Sequence, residues 1–408
     1  MVIATGVNKR LVFKKQSALG TIATTGSAQY LRRTQSSLDK NKATYQSSEI
    51  RPSQQVADMR HGVVSVAGNI SGELSVGSYQ SFVESMLRQL AQTASTTGAI
   101  ATVAAATTSG ALGTFTRSSG SFITDGFRIG KVVRWTGWTT TATTNNSTNM
   151  LIIALTATVM TVARLDGVAV ATKVLGDSVT CLEVGKTTQA ASASHTRDYY
   201  SIEHYFSDIQ ESEVFTDCVV SQMDIKLPAT GLATVDFGIM GLNATMTNTA
   251  TGYFLTPTAA TSGSALAAAS GVLYIAGAAV GLVTGLDISV SGGHTTIGGV
   301  VGSNAEPDVF PGSITVSGNA TVLLQNATFR DYFINETEVS IVAAFATGTT
   351  ATADFMAITM PRVKMGGAAK DDGEKGLVMT MPFTALENPS GAAGTFTGTI
   401  AIQDSAYV

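Results

Sequence analysis

Charge is scarce in this sequence. Only 13% of its 408 residues are Asp, Glu, Lys or Arg, against about 25% in an ordinary soluble protein. The two signs nearly cancel, 25 basic against 29 acidic, for a formal charge of -4. Without a basic surplus, a protein that grips nucleic acid through phosphate contacts is excluded, because that mode needs clustered Lys and Arg to displace counterions. The one dense basic stretch is Lys9, Arg10, Lys14, Lys15, Arg32 and Arg33. Cysteine is nearly absent: Cys181 and Cys218 could bridge only each other, and neither has metal-ligand spacing, so free thiols in a reducing cytoplasm are expected. The start lacks a signal peptide's order of charged then apolar residues. The uncharged run Ala265 to Leu286 is long enough to cross a bilayer. Its glycines, the lack of flanking Lys or Arg, and the Val272-Leu273-Tyr274-Ile275 core read instead as a buried strand pair, so no membrane partner is expected.

Catalytic and cofactor signatures are missing too. His61, His195, His204 and His294 are scattered, with no HExxH spacing, and read as surface or core histidines. No nucleophile elbow, phosphate loop or Cys-x-x-Cys occurs. The run Lys370-Asp371-Asp372-Gly373-Glu374-Lys375 lacks the alternating oxygen ligands of a calcium loop and reads as a solvated turn. Asp198, Glu203, Asp208, Glu211 and Glu213, beside Tyr199, Tyr200 and Tyr205, could be taken for glycosidase carboxylates; a solvated or interface face accounts for them as well. No enzyme, metal or cofactor is expected.

What is present is hydrophobic content of 44%, which at this low net charge predicts a folded chain, and much weakly charged surface suited to protein contacts. The sequence also repeats itself. Residues 63 to 83, VVSVAGNISGELSVGSYQSFV, match residues 313 to 333, SITVSGNATVLLQNATFRDYF, without a gap. Val66, Gly68 and Asn69 recur as Val316, Gly318 and Asn319. In both copies apolar residues alternate with polar ones, predicting a half-buried strand. A helix should follow, with Ser78 as its N-cap and Phe82, Met86, Leu87 and Leu90 on its apolar face. Residues 220 to 242 and 360 to 386 form a second pair, each read as a hairpin, with Ile225-Lys226-Leu227 set against Val363-Lys364-Met365.

The landmarks lie much farther apart in the first copy than in the second, which implies an insertion of domain size. The predicted division is 1–94 with 201–247 as the first unit, 95–200 as the insert and 248–408 as the second unit. The stretches TASTTGAIATVAAATTSG and TTQAASASH read as flexible connectors, and Lys131 to Trp135 and Met150 to Leu155 as strands of a small β-domain.

Gly68 to Ser75 before a helix, Gly318 to Val322 before Phe329, Thr359 to Met365, and Pro382 to Leu386 resemble the tail tube proteins of long-tailed, siphovirus-type bacteriophages, and the likeness spans most of the chain. Gly120 to Gly130 is similar to a segment inserted in some of them. The resemblance implies a mainly β fold: two tandem tail-tube β-sandwich or barrel domains, each with a flanking helix, plus an inserted small β-domain. It implies rings joined sheet to sheet around a DNA channel, with three two-domain chains giving pseudo-sixfold symmetry. It further implies self-association, tape measure, terminator and tip proteins as partners, and a place in the virion tail after assembly in the host cytoplasm. A conduit must not bind DNA, so the polar strand face supplies the expected lining: Asn69, Ser71, Glu73 and Ser75 in one copy, Asn319, Thr321 and Gln325 in the other. Lys226, Arg362 and Lys364 depart from an all-acidic lining. A β-rich adhesin with the insert as binding module, or a tail depolymerase, are the alternatives.

Overall fold

The structure, a computed structural model, describes residues 3–267, 271–281, 283–324, 327–371 and 376–407. The chain begins with β1 (Lys9–Lys15), β2 (Gln29–Tyr30), β3 (Gln35–Ser36) and β4 (Asp39–Gln46), then the long β5 (Met59–Glu73) and helix α1 (Gln80–Leu87). β3 and β4 lie antiparallel along β5. In β5 the side chains of Val66 and Ile70 are buried while Ala67 and Asn69 are exposed, the period of a strand with one face on a core. Helix α1 buries Phe82, Val83, Met86 and Leu87. It starts without a side-chain cap; the hydroxyl of Ser78, the expected cap, instead accepts a 2.7 Å bond from Ser75. Arg88 ends it in the left-handed conformation at φ 57°, so Leu90 falls beyond the helix and is exposed.

The inserted strands β6 (Thr96–Ile100), β7 (Val103–Ser109), β8 (Leu112–Arg117), β9 (Val132–Thr136), β10 (Met150–Leu155), β11 (Val159–Arg164) and β12 (Val179–Glu183) make a separate sheet in the order β6-β12-β9-β10-β11-β8-β7. Its core is aromatic, with Phe115 and Trp135 ring centroids 4.6 Å apart and Trp138 and Phe122 beside them. The first low-complexity stretch is not a loose connector, and the second is one only in part, since residues 190–195 form no strand. The first forms β6 and β7, and the second contributes β13 (Lys186–Gln189), paired with the last strand of the chain. Thr-rich sequence suits a pleated ladder, and pairing overrides the low-complexity appearance. The ends of the insert meet, since the Glu183 amide donates to the Ser95 carbonyl at 2.8 Å.

The first unit resumes with β14 (Tyr200–Phe206), β15 (Glu211–Pro228), β16 (Thr234–Gly241) and β17 (Asn243–Asn248). The first half of β15 pairs with β14 and β17 as far as Cys218, the second half pairs with β16 from Val219 on, and Asp217, in the left-handed conformation at φ 55°, marks the passage from one sheet to the other. A sandwich results, with Phe82 at its centre: its ring lies 5.2 Å from that of Phe237 and 5.4 Å from that of Tyr200.

The second unit contains β18 (Gly271–Ile275), β19 (Ala278–Ala279), β20 (Val283–Ser291), β21 (Thr295–Thr296), β22 (Val309–Phe310), β23 (Thr315–Leu323), α2 (Thr328–Ile334), β24 (Val339–Ala346), β25 (Phe355–Met365), β26 (Ala369–Lys370), β27 (Val378–Ala385) and β28 (Ala401–Asp404). The described part of the uncharged run thus holds β18, the exposed β19 and the start of β20, joined by turns, so the expected strand pair is present but of the two only β18 is partly buried. The duplication holds at the level of register: β5 sets Val66 opposite Gly241 and Asn69 opposite Gly238, and β23 sets Val316 opposite Ala385 and Asn319 opposite Pro382. Gly68 and Gly318 recur for one reason. A Cβ at Gly68 would stand 2.5 Å from the Ser37 carbonyl oxygen, and one at Gly318 would stand 2.1 Å from that of Asp287. The hairpins correspond in a shifted frame. Lys364 faces Thr384 and Val219 faces Met240, so Val363-Lys364-Met365 matches Cys218-Val219-Val220 rather than Ile225-Lys226-Leu227. An apolar-Lys-apolar string fits either frame, and the neighbouring strand decides.

The two units share a sheet. β15 pairs with β20 from Gln222 opposite Ser291 to Pro228 opposite Gly285, so β4-β5-β16-β15-β20-β23-β27 is continuous through both. The insert packs on the other sheet of the second unit, where Val132, Leu151 and Val184 meet Val342, Ala344 and Phe355. There the Gln403 amide donates to the carbonyls of Val132 at 2.9 Å and Val184 at 2.7 Å.

Candidate functional site: the polar face of the shared sheet

Along the shared sheet, every second residue points away from the cores. On β15 Met223, Ile225 and Leu227 are buried and Gln222, Asp224 and Lys226 are not; on β16 Val235 and Phe237 alternate with Asp236 and Gly238; on β20 Leu286, Ile288 and Val290 alternate with Asp287 and Ser289. Ladder partners share a face, which puts Asn69, Ser71 and Glu73 of β5, Asn319 and Thr321 of β23, and these residues on one surface. The Asp236 carboxylate accepts from Asn69 Nδ2 and from Ser71 Oγ, both at 2.9 Å, and Asp224 accepts from Gln222 Nε2 at 2.7 Å. The carboxylates of Glu73, Asp224, Asp236 and Asp287 outnumber the single ammonium of Lys226 on these strands. The surface is polar and net acidic.

Two expected lining residues stand apart. Ser75 lies past the end of β5, fully buried, with its hydroxyl on Ser78, so it belongs to the packed start of α1 and not to this face. Gln325 lies outside the described residues. Arg362 is held by Glu338 through bonds of 2.8 and 2.7 Å, and Lys364 approaches the same carboxylate at 3.8 Å. The Arg362 hydrogen bond holds the Glu338 carboxyl below its ordinary range. The acidic neighbours of β5 and β23 were legible in the same period-two pattern, continued into DIKLP and TVDFG.

The other candidates are structural. Buried Glu203 accepts from the amide of Tyr253 at 2.6 Å and the hydroxyl of Ser212 at 2.5 Å, Asp198 pairs with Lys15 at 2.7 Å, and Asp208 accepts from the Thr5 amide at 2.6 Å. These carboxylates anchor separate loops and do not face one another across a cleft. In the basic N-terminal stretch, Lys14 bonds Thr24, and Arg32 and Arg33 donate to the carbonyls of Gly263 and Lys9. Burial pushes His204 down to about 3 and, with Arg88 nearby, His294 down to about 4, so both are neutral packing groups at neutral pH. Cys181 and Cys218 are buried free thiols, and burial raises the pKa of each. Among the described residues, no three His, Cys, Asp or Glu side chains are grouped to hold a metal, and no helix is long and apolar enough to cross a membrane.

A duplicated β-sandwich with one apolar and one polar, acidic sheet face defines a structural subunit. The profile of the family described as phage tail tube protein matches residues 6–398, and the chain belongs to that family. It is thus a structural component of the phage tail, and the family is not a class of enzymes. Among curated proteins, none matches the chain.

Proposed function

We propose that three copies of this chain close into a ring, each giving two tube units to a pseudo-sixfold barrel, and that stacked rings form the channel through which DNA is ejected. In this reading residues 1–94 with 201–247 are the first tube domain, 248–408 the second, and 95–200 a β-domain on the outside of the tube. The observation that carries it is the single sheet running through both units with its acidic face turned from the cores. Asn69, Ser71, Glu73, Asn319 and Thr321 line the lumen, joined by Asp224, Asp236 and Asp287. Such a lining repels phosphate, and because every ring repeats it, DNA meets no attractive site along the tail. The docking of the insert on the opposite sheet of the second unit supports its outer position. Copies of the chain in the same and adjacent rings are the main partners. The tape measure protein occupies the lumen before ejection, terminator and tip proteins cap the ends, and assembly takes place in the host cytoplasm.

Electron microscopy of the purified protein, with the mass of an isolated ring, tests this. Hollow tubes built of three-chain rings are expected. Rings of six chains would overturn the trimer, and isolated spikes would favour an adhesin.

A further inference from the structure

The seam between the two units is a template for a contact that each end of the sheet lacks. The ladder of β3–β4 with β5 recurs in the second unit as that of β20 with β23, at one constant displacement along the sequence. Gln35 faces Ser71 as Gly285 faces Thr321, Asp39 faces Ala67 as Ser289 faces Ser317, and Asn41 faces Ser65 as Ser291 faces Thr315. The β3–β4 segment is therefore the counterpart of β20, although their sequences share no pattern. In the same way Asp224 faces Asp236 as Ala369 faces Thr380, which makes β26 the counterpart of the end of β15. Inside the chain these two kinds of edge meet, β15 against β20. At the two ends of the sheet they do not. Among the described residues the far edge of β3–β4 pairs with no strand and β26 pairs only with β27, and β4 and β26 are exposed throughout.

We propose that β26 of one chain pairs antiparallel with β3–β4 of the next, in the register of the internal seam. Gln222 opposite Ser291 becomes Gly367 opposite Asn41, and Asp224 opposite Ser289 becomes Ala369 opposite Asp39. The partner is a second copy of this chain. The inference rests on the ring reading and specifies which edges close the ring and how. Open strand edges invite uncontrolled pairing, and this closure removes both.

A second observation leads to the same partner. The arms that connect the paired strands are equally long, from Asn41 to Ser65 and from Ser291 to Thr315, so Met59 holds the place of Val309. Val309 is fully buried against Tyr199, Val219 and Leu242 of the first unit, while Met59 is 51% exposed on an arm that also exposes Tyr45 and Ile50. The ladder of β24 with β25 matches that of β14 with β15, Val339 to Val363 as Tyr200 to Cys218. The surface corresponding to Arg197, Tyr199 and Val219 is then Glu336, Glu338 and Lys364. Met59 of one chain covers that surface on the next, and Arg60, in the place of Phe310 beside Arg197, comes to lie beside Glu336.

The test is cysteine pairing in assembled rings with a short bifunctional thiol reagent, since directly opposed side chains on a ladder have Cβ atoms about 5 Å apart. The native thiols are buried. Asp39→Cys with Ala369→Cys should link most chains into covalent closed trimers, and Asp224→Cys with Ser289→Cys should link within one chain and serve as the folding and reactivity control. Lys40→Cys with Ala369→Cys, one residue out of register and on the other face, should stay unlinked. Normal rings in which 39 and 369 fail to link, or in which 40 and 369 link equally well, overturn the register. A parent protein that forms no rings at all overturns the ring reading itself.

Discussion

Lys226 of β15 stands directly opposite Asp287 of β20 at the seam of the two units, and Asn319 stands opposite Asp287 on its other side. The one ammonium on these strands is thereby set beside a carboxylate, and the rest of the polar face keeps its acidic character. Adding positive charge to this face should turn a conduit into a trap. Glu73→Lys with Asn319→Lys is expected to leave tubes intact and to slow or block DNA ejection, most severely at low salt, where screening is weakest. Ala at both positions should be nearly silent. Equal ejection rates for the Lys variant and the parent at low ionic strength would place the face away from the lumen.

The insert should be dispensable for assembly. Because Ser95 and Glu183 are bonded through their backbones, a short Gly linker can replace residues 97–182. Glu183 is buried at 2.8 Å from Lys131, which the deletion removes, so Glu183→Gln is needed to avoid stranding a buried charge. The surface uncovered at Val342, Ala344 and Phe355 lowers thermal stability, but tubes of smaller outer diameter should still form in micrographs. A folded, soluble deletion protein that never polymerises would assign the insert to the stacking interface.

The repeated glycines predict a matched pair of defects. Gly318→Ala forces its new methyl against the Asp287 backbone and the Phe383 ring, and Gly68→Ala forces it against the backbone of Ser37 and Leu38. Each should destabilise the chain by about 1–3 kcal/mol, the usual range for overpacking, read as a loss of denaturation midpoint. Unchanged midpoints for both would mean that the close approach is not tight.

Asp404 gives a pH dependence. Its carboxylate accepts from the amides of Gly77 at 2.7 Å and Ala406 at 2.9 Å, yet burial pushes its pKa up to about 6 from an ordinary 3.8. The fold therefore favours the neutral acid. The stability this group contributes is fully present below pH 3.8 and is lost as pH rises through about 6, on the order of 2–3 kcal/mol. Asp404→Asn is neutral throughout. Relative to the variant, the parent should lose stability between pH 4 and 6.5, as measured by thermal melts across that range; a constant difference would contradict the raised value.

The alternation in VVSVAGNIS and SITVSGNAT made both central strands, and the helix after each, legible, because a half-buried strand writes its two faces into neighbouring residues. β9 and β10 were legible from the same kind of apolar run. The strand that pairs in front of β5 and of β23 was not: QSSLDKN and GLDISVS occupy equivalent ladder positions, but β3–β4 is an exposed edge and β20 is a central strand, so burial selects different residues. Ser75 was misplaced because period two continues in the sequence past the point where the chain leaves the sheet. The strands β6, β7 and β13 within the connectors were missed because Ala and Thr supply little side-chain signal while their backbones pair normally. The joining of the two units through β15 and β20 is long-range pairing, which no local pattern records.

The central claim is that the shared sheet faces the channel. A helical reconstruction of the assembled tube measures it directly, by the radial order of Asp236, Phe237 and Trp135. The expected result has Asp236 and Asn319 at the lumen wall, Phe237 behind them in the sandwich core, and Trp135 of the insert at the outermost radius. A tube with Trp135 at the smallest radius, or with Asp236 and Asn319 on its outer surface, would contradict the account.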